Sequence, residues 1–364
     1  MSDLYPENAV LLAPLADYTD YPFRRACRRF GCRHAFTPLI DAGCLTYSPE
    51  SAVPILHRGP DEPWLGVQLL GANPAFFEKA MEVVNRHEFD ALDLNLGCPM
   101  PKVTKRGAGA ALGLNLPLAL ECLGVILKHS RFPVTAKIRV TDMQDPEPTV
   151  KFALALQDAG IRALTIHGRV LKAIYAGPVA AQVVRAVRDA LRIPVIANGG
   201  VFDAATATAL RHATGCSRIM VARGAIGNPW VFRELAAEEK AERRTQNAEC
   251  RTQNLEPATG NAQHETRNTQ QATSFFPAPS PAELCDVMEE HIHGMFDLYG
   301  EDHGMRCARK IVLAYLKGRG WPHELKAEAS VLRGRAEFDA FVRTLRAVPP
   351  HAVPPHTPRT LDVA

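Results

Sequence analysis

The stretch IPVIANGGVFDAATATALRHATGCSRIMVARGAIGNP, residues 193–229, holds two short apolar runs, each stopping at a glycine-containing turn, with a helix-length segment between them. Strand, turn, helix, strand, turn is the grammar of a parallel sheet built from βα units. Six more runs of the same kind precede it: AVLLAPLA (9–16), HAFTPLI (34–40), LGVQLLG (65–71), ALDLNLG (91–97), VTAKIRV (134–140) and ALTIHGR (163–169). Between them, FFEKAMEVVNRH (76–87), PLALECLGVILKHS (117–130) and PTVKFALALQDAG (148–160) place apolar residues at helical i, i+3, i+4 spacing. Eight strands in this rhythm predict an α/β fold, the (β/α)8 TIM barrel of roughly 250 residues. A doubly wound sheet is the alternative, and it rarely needs eight units so evenly spaced.

At 364 residues the chain is longer than such a barrel needs, and 46% hydrophobic residues suffice for a large core. A net charge of +3 leaves room for a local basic face without demanding a nucleic-acid partner. The nine cysteines are scattered and form no C-x-x-C pair, so no metal site or disulfide framework is expected and a reducing compartment is favoured. MSDLYPENAV (1–10) lacks the basic start and apolar core of a signal peptide, and no apolar run approaches the roughly 20 residues of a membrane span. A cytoplasmic location is expected.

The barrel is placed at residues 1–236. Residues 237–280 carry RTQN at 244–247 and again at 251–254 amid Thr, Gln, Asn and Ala, and are predicted to be a low-complexity, disordered insert or linker. From Pro281 the helical pattern resumes in PAELCDVMEEHIHGMFDLYG, GMRCARKIVLAYLKGRG and AEFDAFVRTLRAV, predicting a helical bundle of three or four helices over 281–346. The proline-rich end, 347–364, is expected to be a flexible tail.

Polar residues interrupt the apolar strands near their C-terminal ends, where (β/α)8 enzymes carry their active sites. Alternation puts Asp93, Asn95 and Gly97 on one side of their strand and Leu92, Leu94 and Leu96 on the other. Lys137 and Arg139 share a side, as do Thr165, His167 and Arg169, while Gln68 and Asn198 each stand alone. Singly, each has a plainer reading: satisfied core amides for Gln68 and Asn198, a structural histidine for His167, an internal pair with Asp93 for Lys137 and Arg139. Together, several cations at one end of a barrel call for an anionic or polar ligand. The turns NGGV (198–201) and ARGAIGNP (222–229) follow strands seven and eight, the place where this fold binds phosphate. Tight turning alone is the other reading of those glycines.

Cys98 stands between Gly97 and Pro99 after strand four, beside Lys102, Lys105 and Arg106. Neighbouring cations lower a thiol pKa and make it a workable acid, base or nucleophile. No triad base accompanies it, so proton donation is favoured over acyl transfer. The ordinary alternative, a buried structural cysteine, suits Cys122 and Cys216 better.

The combination APLADYTDYPFR (13–24), VQLLG (67–71), DLNLGCPMPKV (93–103), AKIRV (136–140), LTIHGR (164–169), IPVIANGG (193–200) and VARGAIGNPWVFREL (221–235) resembles the tRNA-dihydrouridine synthases, particularly the bacterial B-type. HIHGMFDLYGEDHGMRCARKIVLAYLKG (291–318) is similar to that family's helical tRNA-binding domain. The likeness implies an FMN enzyme that uses NADPH to reduce the C5–C6 bond of a uridine in tRNA. Carried over, Cys98 is the general acid at uracil C5 while reduced flavin delivers hydride to C6, and Asn95 and Arg139 hold the uracil. Pro14, Ala16, Gln68, Lys137 and His167 match flavin contacts, with Asn198, Gly200, Ala222 and Arg223 around the phosphate. A base in folded tRNA is reached by extrusion, with phosphate contacts supplying affinity. Arg306, Arg309 and Lys310, on one face of the bundle with Lys317 and Arg319 beyond, are the candidate RNA contacts, together with Lys102 on the loop after Cys98. The arginines of FRRACRRFGCR (23–33) are expected on a solvated helix, though Arg24 belongs to the matched motif. A monomer is expected.

Two other readings stand beside this one. A small-molecule FMN barrel, like dihydroorotate dehydrogenase, would leave the basic bundle without a purpose. A non-catalytic tRNA-binding barrel would purify without flavin absorbance.

Overall fold

Eight parallel strands pair in chain order and close on themselves, β1 (Val10–Leu12) against β8 (Arg218–Val221). Between them run β2 (His34–Asp41), β3 (Leu65–Leu70), β4 (Ala91–Leu96), β5 (Val134–Arg139), β6 (Leu164–His167) and β7 (Val195–Asn198). This computed structural model describes residues 4–238, 278–351 and 359–363, so nearly all of the stretch read as an insert, 237–280, lies outside the described residues. Helices occupy the predicted intervals, among them Pro74–Val84, Leu116–His129 and Glu147–Ala159. Their starts follow from capping chemistry: Asn73 and Asn115 each accept a hydrogen bond from the first turn, and each is followed within two residues by a proline. Leu92, Leu94 and Leu96 pack outward into the main core, as alternation predicts. Pro38 lacks an N–H, and the β2–β3 register shifts where it stands, between Phe36 and Leu39.

The helices Pro281–Tyr299, Glu301–Leu316, His323–Val331 and Arg335–Ala347 form the bundle. It shares one continuous core with the barrel rather than hanging from it. Phe23 stacks on His291 at 5.5 Å, Trp230 meets Tyr315 edge-on at 6.0 Å, and Arg319 lies over Trp230 at 5.1 Å. Gly227, at φ 66°, lies so close to the Ala314 backbone that any side chain there would collide with it. No described helix is long and apolar enough to cross a membrane.

Two expectations are corrected. The arginines of the first helix, Tyr21–Arg29, do not all face solvent: Arg24 and Glu62 have fully buried side chains joined at 2.7 Å, and Arg28 joins the same carboxylate at 2.9 Å. Arg24 also donates to the carbonyls of Thr19 and His57, each at 2.7 Å, so its fork is filled and burial is tolerable. The end of the chain is not uniformly a free tail. Residues 359–363 lie against the barrel, with Val363 bridging Val179 and the Val179 N–H donating to the Asp362 carbonyl at 2.8 Å.

Candidate active site

Strand register assembles the site before any loop is considered. It sets Gln68 beside Asp93, Asp93 beside Thr135, Asn95 beside Lys137, Arg139 beside His167, and His167 beside Asn198. Polar side chains that sequence alternation placed on one side of each strand therefore meet inside the barrel.

They meet as a directed chain. Thr135 Oγ1 and Gln68 Nε2 donate to the two oxygens of Asp93 at 2.6 and 2.7 Å. Asn95 Nδ2 donates to Gln68 Oε1 at 2.7 Å, and Asn95 Oδ1 accepts from the Gly97 and Cys98 N–H groups at 3.1 and 2.9 Å. An ionised carboxylate only accepts, so Asp93 fixes which end of each amide faces which neighbour, out to the turn that carries Cys98. Burial pushes the Asp93 carboxyl up to about 6, against the hydrogen bonds of Thr135 and Gln68 and the charge of Lys137, and it stays mainly ionised at neutral pH.

Cys98 is half-buried. The glycine-rich segment after it folds back on it: the Ala110 N–H donates to the Cys98 carbonyl at 3.0 Å, and a Cβ on Gly109 would stand 2.7 Å from that oxygen. Lys102 and Lys105 are exposed, and Arg106 pairs with Asp41 at 2.6 Å. On β5, Lys137 stands beside Asn95 in the sheet, and Arg139 Nε donates to the carbonyl of Gly97, the residue before Cys98, at 2.7 Å.

The plainer reading, a pair of Lys137 or Arg139 with Asp93, is not what forms: Thr135 and Gln68 each donate to one Asp93 oxygen. Lys137 Nζ instead donates to Asn198 Oδ1 at 2.8 Å, while Asn198 Nδ2 donates to the Met220 carbonyl at 2.8 Å. Burial, then the charge of Arg139, pushes the Lys137 ammonium down to about 7. Arg139 reaches across loops to the carbonyls of Gly97 at 2.7 Å and Ile174 at 2.8 Å, and though burial lowers it to about 10 it remains charged. Burial and four surrounding cations hold His167 well below its usual range, so its imidazole is neutral, stacked on Tyr175 at 6.4 Å. Arg223 also meets this group, 4.4 Å from the Tyr175 ring.

Of the remaining candidates, Pro14 is buried just beyond β1 and Ala16 is exposed on the loop after it. Gly200, at φ 76°, and Ala222 occupy the turns after β7 and β8. On the bundle, Arg306 is exposed, whereas Arg309 is drawn inward, its Nε donating to the Leu332 carbonyl at 2.7 Å; there it staples two helices. Lys310 lies 4.4 Å from the Tyr18 ring and 3.9 Å from Asp17, on the loop after β1. Arg319 donates to Asn228 Oδ1 at 3.2 Å and belongs to the joint. Sequence reasoning assigned no role to Tyr175 or Thr135, and Arg169 only a place beside His167. For Thr135 the signal was present, since period two puts it with Lys137.

The family model for dihydrouridine synthase matches residues 11–348. The chain is 31% identical to tRNA-dihydrouridine synthase B of Pasteurella multocida over 312 residues, covering 86% of this chain and 85% of that protein. It is 31% identical to the protein of the same name from Pseudomonas aeruginosa over 337 residues, 92% of each chain. A third relative, tRNA-dihydrouridine synthase B of Proteus vulgaris, is 30% identical over 347 residues, 93% of this chain and 97% of that one. With a match that runs from β1 through the last bundle helix, the chain belongs to the dihydrouridine synthase family.

Proposed function

We propose that this chain reduces the C5–C6 bond of uridine in tRNA, with FMN as its flavin and NADPH as reductant. The carrying observation is Cys98, half-buried at the barrel mouth, its turn held by Asn95, which stands beside Lys137 in the sheet, and by Arg139, which binds the Gly97 carbonyl. The donor set suits an anionic, hydrogen-bonding cofactor: Lys137, Arg139, Arg169 and Arg223 surround His167, and each of these cations disfavours its protonation. Pro14, Ala16, Gln68, Lys137 and His167 would hold the flavin ring, and Asn198, Gly200, Ala222 and Arg223 its phosphate. A bound flavin supplies hydride transfer to the base.

The residues of the chain do the rest. Asn95 and Arg139 orient the extruded uracil, and Cys98 Sγ carries the proton that goes to C5. Losing that proton leaves a thiolate, for which Arg139, charged at neutral pH, is the counter-charge. Lys102, Arg306 and Lys310 are cations placed to contact RNA phosphates, and the loop role of Lys310 brings the bundle to the mouth.

The test is dihydrouridine mapping in tRNA from cells with and without the protein, with the absorbance of the purified protein read for flavin. A missing dihydrouridine in the deletion supports the reading; an unchanged map and a colourless protein defeat it. Within the same assay, Asp93→Leu is expected to lower turnover by about tenfold or more, because the Gln68 and Asn95 amides lose the acceptor that orients them. Thr135→Val removes a donor but leaves the carboxylate, and is expected to stay within about threefold.

A further inference from the structure

The loops after β6 and β7 are bridged by a piece of chain that no strand or turn signal marks. Arg359 to Val363 cross there: the Arg359 N–H reaches Asp203 Oδ2 at 3.4 Å, Leu361 presses on Gly200, and Asp362 and Val363 pair with Val179. Together with Arg169, Gly200 and Phe202, Arg359 to Asp362 line an open cavity of about 380 Å³. Ordering a five-residue stretch costs about 1–2 kcal/mol per residue in backbone entropy, so its attachment at both loops calls for a reason.

The charges supply one. Arg169 is 6% exposed, donates from Nε to the Gly177 carbonyl at 2.8 Å, has Nη1 3.5 Å from His167 Nε2, and lines the cavity. Arg359 lies 4.5 Å from the Phe202 ring, and Arg223 lies 5.8 Å from the same ring. Three guanidinium groups thus flank one aromatic and one glycine turn. Among the described residues, the carboxylates touching this group are Asp362, whose charge supports Arg169, and Asp203, which accepts the Arg359 N–H as well as capping its own helix. Like charges held this close repel unless an anion enters, and planar guanidinium forks match a phosphate oxygen pair.

We propose that Arg359 and Thr360 form the outer wall of a phosphate-monoester cradle whose inner wall is Arg169 and the Gly199–Gly200 turn, so that the C-terminal segment is part of the cofactor site. This rests on the reading that the barrel mouth binds a phosphorylated flavin, and adds to it a set of contacts from outside the barrel. The segment acts on the phosphate end alone, since none of its contacts reaches Cys98, Lys137 or Asn95.

The experiment compares the full chain with a protein ending at residue 358 and with Arg359→Ala, each stripped of flavin and titrated with FMN and, separately, with riboflavin, by flavin fluorescence. Loss of Arg359 to Val363 is expected to weaken FMN about tenfold or more and riboflavin less than about twofold, with Arg359→Ala giving most of the FMN loss. Equal or tighter FMN binding by the shortened protein overturns the proposal; tighter binding would mean that the segment competes with the phosphate. Equal losses for FMN and riboflavin overturn it too, because the segment would then be a general cover. A full chain that binds neither flavin defeats the underlying cofactor reading as well, and is told apart by that control. Thermal melting of all three proteins shows that the barrel is intact.

Discussion

Cys98→Ala is expected to keep the fold and the flavin and to lower dihydrouridine formation by about 10²- to 10⁴-fold, the usual contribution of a positioned general acid. The fold should survive because Cys98 sits half-buried in a turn and the Asn95 carbonyl binds its backbone N–H, which the substitution leaves in place. The flavin should survive because the residues matched to flavin contacts lie on other strands and turns. Single-turnover reduction of tRNA is the discriminating measurement. If hydride transfer and product formation proceed at the wild-type rate, the proton comes from elsewhere and the assignment is wrong.

The second large effect is on stability. Glu62→Ala would leave Arg24, whose side chain is fully buried, without its charge partner, and removing one member of such a pair costs about 3–5 kcal/mol. That is a large fraction of the 5–15 kcal/mol, roughly, that holds a domain folded. Denaturant titration measures it. Replacing both partners by apolar residues, Arg24→Met with Glu62→Leu, is expected to cost less than the single change, because no buried charge is then abandoned. The pair also sets an acid limit. Burial alone would raise the Glu62 carboxyl, but the hydrogen bonds and charges of Arg24 and Arg28 outweigh it and hold it below its usual 4.5. Its contribution is therefore present above that value and is lost as pH falls through the depressed one, so the Glu62→Ala protein should lose less stability than wild type on acidification.

What the sequence made legible divides along physical lines. Strand alternation and glycine turns are local, so the barrel, its eight strands and the inward row of Gln68, Asp93, Asn95, Lys137, Arg139 and His167 could be read directly. Pairings between distant segments could not. Nothing in FRRACRRFGCR says that Arg24 and Arg28 converge on a glutamate more than thirty positions later. Nothing in GMRCARKIVL says that Arg309 turns to the carbonyl that ends the next helix while Lys310 reaches the mouth of the barrel. Composition misled at the end of the chain, where prolines suggest freedom yet one leucine and a short backbone bridge fasten the last residues to the barrel.

The bond from Lys137 to Asn198 also bears on how the protein ages. Asn198 is followed by Gly199, the sequence in which an asparagine side chain most readily cyclises onto the next backbone nitrogen and hydrolyses to aspartate, one reason asparagine is counted as thermolabile. In the folded chain its amide is engaged at both ends, by Lys137 and by the Met220 carbonyl, which holds it away from that attack. Once opened by heat or long storage, the site would gain a carboxylate against Lys137 and lose its donor to Met220. Mass spectrometry of the peptide containing residues 193–200 would then date a preparation, and the deamidated fraction should track the flavin that it no longer holds.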